Sequence, residues 1–381
     1  MIILQNQRNG GKLGSELTVG SLFSGIGGFD KGLEMSGMNV LWQVEIDEFC
    51  NKVLNYYWPN VERHSDVSKV ENLPRPDLIC GGFPCQDLSV AGKRAGLDGE
   101  RSGLWFEMHR IMRELRSKWC LIENVPGLLS SNQGRDFGVI AEGMDELWSG
   151  SWGWAILDSQ NFGVPQRRRR VFIVGGPSRS SVAKVLSLTE SGSGDFTKSQ
   201  KSKQDIALPI GGGSGNRGWR DDLDHSTYIP IICPTIDTHL GDKQWLEDQS
   251  VLNFLPVMKA ISIRTAQTSS NGWGINTDGT SYTLDSASGQ AVAAKSTVRR
   301  LTPVECERLQ GFPDDWTNIP VKEVPRKRLL SNKQGRYKEI GGKVFQMAAD
   351  GPRYKSLGNA VTVNVIYYLG SRIRAVEENN L

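Results

Sequence analysis

Leu17-Thr18-Val19-Gly20-Ser21-Leu22-Phe23-Ser24-Gly25-Ile26-Gly27-Gly28 is the stretch on which the fold turns. Residues 17–23 are apolar and β-branched enough for a buried strand. The glycines that follow let the backbone turn tightly and approach a ligand at the strand's carboxyl end, where open α/β sheets bind their ligands. The spacing is G-x-G-G and not G-x-G-x-x-G, so a phosphate cradle of the dinucleotide type is disfavoured. A plain tight turn between strand and helix is the competing reading.

Outward from this turn, short apolar runs alternate with helical stretches. Strands are expected at 17–23, 40–45, 77–81, 120–124, 154–158 and 171–174, and helices at 28–36, 48–58 and 104–117. Such alternation implies a mostly parallel, doubly wound sheet. The loop between the last two strands leaves no room for a helix, so these two are expected to pair antiparallel.

The chain has 381 residues, 38% apolar and 23% charged, with a formal net charge of +3. That length suits two domains, or one large domain with an insertion. No apolar window approaches 18 residues, which argues against a membrane span, and the N-terminal run is too short for a signal peptide. A cytoplasmic protein is expected. Six cysteines without C-x-x-C spacing and four scattered histidines argue against a zinc site or a disulfide framework, so no metal is expected. If a cysteine matters here, it matters as a thiol.

Composition changes after Gly176-Pro177. Residues 178–204 carry eight serines and read as a linker, and 205–298 are rich in Gly, Thr, Ser, Asn and Trp, suggesting a small irregular β-rich unit. The expected division is 1–177, 178–297 and 298–381. The last part begins with a helix in LTPVECERLQGF and ends in an amphipathic helix around 359–375. Between them, 322–343 holds eight Lys/Arg against two Glu. A backbone-contacting insertion and a plain solvated loop are both open readings of that stretch.

Several residues beyond strand ends carry chemistry. Glu45 stands about 20 positions past the glycine turn, where a ribose-holding carboxylate sits in this architecture, or it is a solvated strand-end charge. Asp66 offers an acceptor to an adenine amino group. Cys80 lies inside an apolar run and reads as a buried hydrophobe, whereas Cys85, beyond Gly81-Gly82-Phe83-Pro84, is placed for a thiolate nucleophile. The loop after it, with Lys93, Arg94 and Arg101 among glycines, suits a lid over a polyanion. Glu123 ends the run Cys120-Leu121-Ile122 as a candidate general acid. In Gln166-Arg167-Arg168-Arg169-Arg170, extended geometry turns Arg168 and Arg170 to one face.

In this order, Phe-x-Gly-x-Gly-Gly, Glu, Asp, Pro-Cys-Gln, Glu-Asn-Val, Gln-x-Arg-x-Arg, Arg299-Arg300-Leu301-Thr302-Pro303-x-Glu305 and Gly358-Asn359-Ala360-Val361 resemble the cytosine-5 DNA methyltransferase family, over about 18–177 and 298–375. The resemblance implies a Rossmann-like, S-adenosylmethionine-dependent methyltransferase fold, with helices on both faces of a mostly parallel sheet. It also implies a variable recognition domain at 178–297 that reads a short specific duplex. It places the cofactor S-adenosylmethionine against Phe23, Gly25, Ile26, Gly28, Glu45, Ile46, Asp66, Val67, Pro84, Leu104, Asn359 and Val361. It assigns Cys85 to attack ring carbon 6 of a flipped cytosine, Glu123 to ring nitrogen 3, and Arg168 and Arg170 to the base oxygen and to bracing Glu123 or the thiolate. Lys93 and Arg101 would contact DNA, while Arg299 and Glu305 would support the recognition domain. The expected partner is duplex DNA, with the protein itself a monomer; a separately encoded cognate restriction endonuclease, a solitary enzyme and a phage-borne one are open readings. An RNA methyltransferase of the same fold and a non-enzymatic binding protein are the rivals, and a nicotinamide oxidoreductase is a distant third. The intact set of Cys85, Glu123, Arg168 and Arg170 speaks against the binding protein.

Overall fold

The structure, a computed structural model, describes residues 16–84, 103–187, 300–330 and 336–379, together with the strand backbones at 261–264, 275–276, 290–294 and 297–299. Cys85, Lys93 and Arg101 lie outside the described residues.

Seven strands form the central sheet. They are β1 (Thr18–Leu22), β2 (Asn39–Val44), β3 (Glu62–His64), β4 (Leu78–Gly81), β5 (Trp119–Asn124), β6 (Trp152–Asp158) and β7 (Arg169–Gly175). Their order is β3-β2-β1-β4-β5-β7-β6. The first five are parallel neighbours, and β7 runs antiparallel to both β5 and β6, as the short connection required. The strands read as unbroken apolar runs because both faces are covered. In β5, Cys120 and Ile122 pack into one core cluster and Trp119 and Leu121 into the other. Helices α1 (Gly28–Met35) and α2 (Glu48–Tyr57) follow β1 and β2, and α3 (Leu104–Leu115) and α4 (Arg135–Trp148) flank β5. Trp105, Met108 and Ile111 of α3, with Phe137 and Ile140 of α4, fill the first cluster.

The linker reading of 178–204 does not hold over α5 (Arg179–Leu186). Its serines are helix-capping and outward, with Ser178 accepting from the Ser181 N–H, while Val182, Val185 and Leu186 are buried against the opposite face of the sheet. A second, four-stranded antiparallel sheet is ordered β11-β10-β8-β9, from β8 (Ile261–Arg264), β9 (Ile275–Asn276), β10 (Gln290–Ala294) and β11 (Thr297–Arg300). The chain then enters α6 (Pro303–Leu309) through a capping box between Thr302 and Glu305. The basic stretch is no plain loop. It contributes to a three-stranded antiparallel sheet ordered β12-β14-β13, from β12 (Pro320–Val324), β13 (Tyr337–Ile340) and β14 (Lys343–Met347).

The final segment forms two helices where one was expected around 359–375. Asn359 ends α7 (Asp350–Asn359), and α8 (Val363–Glu377) starts after a break at Ala360–Thr362. Helix α8 then packs along α1. A Cβ on Gly32 would lie 2.7 Å from the Cβ of Ile366, which explains the glycine there. A buried ion pair fixes α7 to α6: the Arg353 guanidinium donates to Glu307 at 3.1 Å and to the Thr317 hydroxyl at 2.9 Å.

Beneath the first turn lies a buried polar chain. Asp30, fully buried in α1, accepts from the Ser21 hydroxyl at 3.0 Å and from the Gln43 amide at 2.8 Å, and Arg63 Nε donates to Gln43 at 3.2 Å. Burial raises the Asp30 pKa to about 6, against these hydrogen bonds. The folded protein therefore keeps a proton that the unfolded chain loses near pH 4. This proton's contribution to stability is full below about pH 4 and disappears as pH rises through 6, an effect of about 3 kcal/mol. Urea unfolding across pH 4–7 should show that slope, and Asp30→Asn should flatten it.

Candidate active site

The topology carries the ends of β1 to β5 and the beginning of β7 to one sheet edge. Asn124 of β5 pairs with Val171 of β7, so Arg168 to Arg170 stand just beyond the carboxyl end of β5. The backbone is strained at the first turn, where Phe23 has a φ of 52°. The left-handed region costs a bulky residue roughly 1–2 kcal/mol.

Glu45 Oε2 accepts from the Gly25 N–H at 2.7 Å, and Oε1 from the Asp47 N–H at 2.7 Å. Burial pushes its pKa up while these N–H groups oppose the rise. Gly25 has a φ of 56°, and a Cβ there would meet nothing within 4 Å among the described residues. Ile46, the next residue after Glu45, is 76% exposed. Asp66 caps a 3₁₀ turn, with its carboxylate accepting from the Ser68 N–H and hydroxyl and lying 3.1 Å from Lys69 Nζ; Val67 beside it is buried. An acceptor carboxylate, an exposed aliphatic side chain and a glycine turn fit a ribose and an adenine, so these residues suit S-adenosylmethionine.

Other residues of that set also make contacts within the protein or stand at element ends. Ile26 is buried in the C-terminal core cluster, and its carbonyl accepts from the Trp316 indole at 2.9 Å. Gly28 lets the last segment approach, since a Cβ would lie 2.8 Å from Val361 Cγ1. Pro84 and Asn359 are exposed, and Leu104 opens α3.

Glu123 and Arg170 form an ion pair at 2.9 Å, with both side chains 14% exposed. Arg168 is buried. Its guanidinium donates to the carbonyls of Ala360 at 2.8 Å and Gly358 at 3.3 Å, across the break between α7 and α8. Burial, then the neighbouring Arg170, lower its pKa to about 9, partly offset by Glu123. Thr362 extends this junction by donating to Gln310 and sharing a hydrogen bond with Ser159. Sequence reasoning read Asn124 only as part of a motif. In the structure its amide donates to the Phe83 carbonyl at 2.9 Å, which ties the end of β5 to the turn entering Cys85.

The described cysteines narrow the search for a nucleophile. Cys50, Cys80, Cys120 and Cys306 are buried, and burial pushes every one of their thiols up, Cys306 to about 12. None of the four is poised as a thiolate. Among the described residues no cluster of three His, Cys, Asp or Glu could hold a metal ion, and no helix is long and apolar enough to cross a membrane.

The sequence profile described as C-5 cytosine-specific DNA methylase matches residues 17–333. The type II methyltransferase M2.BsuMI of Bacillus subtilis (strain 168) is 29% identical over 361 residues, 94% of this chain and 75% of its own length. The type II methyltransferase M.HhaI of Haemophilus parahaemolyticus is 25% identical over 362 residues, 92% of each chain. A protein of Escherichia phage P1 named a DNA N-6-adenine-methyltransferase is 30% identical over an alignment of 470 positions; it covers 94% of this chain, and this chain spans 61% of its length. In fold, the chain is similar to the crystal structure of S. pombe Dnmt2 methyltransferase, with a TM-score of 0.50 and 15% identity, covering 96% of this chain and 100% of that one.

Gly82 offers a probe of the site. A Cβ there would lie 2.9 Å from Glu123 Oε2, the movable end of a side chain. Gly82→Ala should therefore displace the carboxylate with less than about 1 kcal/mol lost in thermal unfolding. Because a misplacement of about 1 Å can cost roughly a hundredfold, kcat should fall, by up to about that factor.

Proposed function

We propose how this chain, which belongs to the C-5 cytosine-specific DNA methylase family, carries out its reaction. It is a DNA (cytosine-5-)-methyltransferase, transferring a methyl group to carbon 5 of cytosine in DNA. Family and fold imply S-adenosylmethionine as the donor. Bound at the turn beside Gly25, Glu45 and Ile46, it would supply the methyl group that carbon 5 accepts.

The chain's own residues prepare the base. Ring carbon 5 of cytosine is a weak nucleophile. The Cys85 thiolate adds to carbon 6, and the displaced ring electrons make carbon 5 enamine-like. Glu123 holds ring nitrogen 3 and supplies its hydrogen bond or proton. Arg170 keeps that carboxylate in place, the observation that carries this reading. After methylation a base removes the proton on carbon 5, and the carbon–sulfur bond breaks to release the thiolate. A base inside a duplex is unreachable, so the target nucleotide is flipped out, at a cost of a few kcal/mol. Lys93 and Arg101 contact the backbone. Residues held at the sheet edge need no movement for chemistry, which is where preorganised electrostatics act.

Duplex DNA is the partner, read by the segment after α5 up to residue 297. Arg264, Gln267, Asn271 and Asn276 supply side chains suited to base edges. The protein acts as a monomer in the cytoplasm; the type II names of its relatives support a separately encoded restriction endonuclease beside it. The adenine named for the phage P1 relative is not transferred to this chain, which spans only part of that protein.

Duplexes carrying 5-fluorocytosine at the target should trap the wild type as a denaturation-resistant adduct, because fluorine does not leave as a proton does. Cys85→Ser should give neither adduct nor methylation while still binding duplex. Methylation surviving in that variant would end the covalent mechanism. Replacing residues 188–297 by the same segment of a relative with another specificity should move methylation, read by bisulfite sequencing, to the relative's site. A folded, active chimera that keeps the original site would place recognition elsewhere.

A further inference from the structure

The basic sheet β12-β14-β13 has no part in the chemistry above. Glu323 is engaged by Lys343 at 2.9 Å and Glu339 by Arg326 at 3.3 Å. The exposed side chains of Lys322, Lys327, Arg336 and Lys338 have no ion-pair partner among the described residues. With its acids paired internally and four cations left over, on both faces of the sheet since Lys322 stands opposite Gln346 and Lys338 opposite Phe345, this segment carries a field suited to a polyanion.

Its shape is specific as well. Strands β13 and β14 form a hairpin closed by Gly341 and Gly342, with φ of 58° and 80°, the two-residue turn that matches strand twist. Among the described residues nothing lies within 4 Å of a Cβ at either glycine, and the tip is flanked by Ile340, which is 38% exposed. A two-stranded ribbon of this kind fits a groove of B-form DNA, and an apolar residue at its tip can lean on the sugar edge. The base is fixed. Ala348 N–H donates to the Ile319 carbonyl at 3.0 Å, and Val321 packs into the cluster of Trp316, whose indole holds the Ile26 carbonyl. The ribbon is thus an arm set on the same frame as the cofactor turn.

We propose that this three-stranded sheet, with the connection from β12 to β13, binds the phosphate backbone of duplex DNA flanking the recognition sequence, through Lys322, Lys327, Arg336 and Lys338. The inference rests on DNA being the substrate, and it adds a contact outside the methylated site. The test uses the full chain without methyl donor, so that it stays separate from any failure of methyl transfer. Fluorescence anisotropy would follow binding to duplexes carrying the target with short or long flanks, from 50 to 200 mM KCl. The combined variant Lys322→Ala, Lys327→Ala, Arg336→Ala and Lys338→Ala should lose roughly tenfold or more in affinity for the long duplex and little for the short one. Its salt slope on the long duplex should be shallower by up to about 3.6, the value for four phosphate contacts. A charge-conserving set (Lys322→Arg, Lys327→Arg, Arg336→Lys, Lys338→Arg) should behave as wild type, and kcat at saturating DNA should be unchanged in both. Wild-type affinity and slope in the alanine variant, or an equal loss on both duplexes, would overturn the proposal.

Discussion

A buried guanidinium ties the middle of this chain to its C-terminal helices. Arg168 sits just before β7 and donates to Gly358 and Ala360, about 190 residues later. A helix end leaves carbonyls without intrahelical donors, and a buried cation needs acceptors. At the break between α7 and α8 each requirement meets the other. Thr362, Ser159 and Gln310 complete the junction with neutral hydrogen bonds. The same contact carries Val361 to Gly28, where the glycine leaves room for it. Without the clamp, the C-terminal helices would keep their packing along α1 and the hydrogen bonds of Thr362 with Ser159 and of Asn364 with the Phe162 carbonyl, but Arg168 would lose its acceptors.

Strand direction explains why the edge collects so much chemistry. Five parallel strands deliver their carboxyl ends, and with them Phe23, Glu45, Asp66, Pro84 and Glu123, to one side. A sixth parallel neighbour beside β5 would bring a further loop. Instead β7 is reversed and delivers its start, so the arginines leading into it arrive beside Glu123. The ion pair of Glu123 with Arg170 is a consequence of that reversal. The carboxylate is kept near the turn entering Cys85 by a second tie, from Asn124 to the Phe83 carbonyl.

Legibility followed physical range. The central strands could be read because burial on both faces writes an uninterrupted apolar run, and Glu45 and Glu123 because they interrupt such runs at strand ends. Strand β3, with three residues, is too short to leave a pattern. Helix α5 was obscured by serines, since only Val182, Val185 and Leu186 carry its apolar stripe. The sheet at 320–347 hid its alternation behind lysines and arginines, and only its Gly341-Gly342 turn is a local signal. The acceptors of Arg168 are set by tertiary structure and have no local trace. The motif located Arg168 and Arg170 but could not tell which one pairs with Glu123.

Stability and function divide along the same edge. The largest side chains that are fully buried, Trp42, Trp105, Trp119 and Phe172, lie in the sheet and its covering helices. The left-handed Phe23 and the exposed Ile46 and Val125 all lie just past strand ends at the carboxyl edge. Strain and uncovered apolar surface persist only where the surrounding structure holds them. Here the holding comes from below, through Asp30, Ser21 and Gln43 under the first turn, and from the side, through Trp316 on Ile26. The described part of the edge is therefore held in shape by the protein's own contacts.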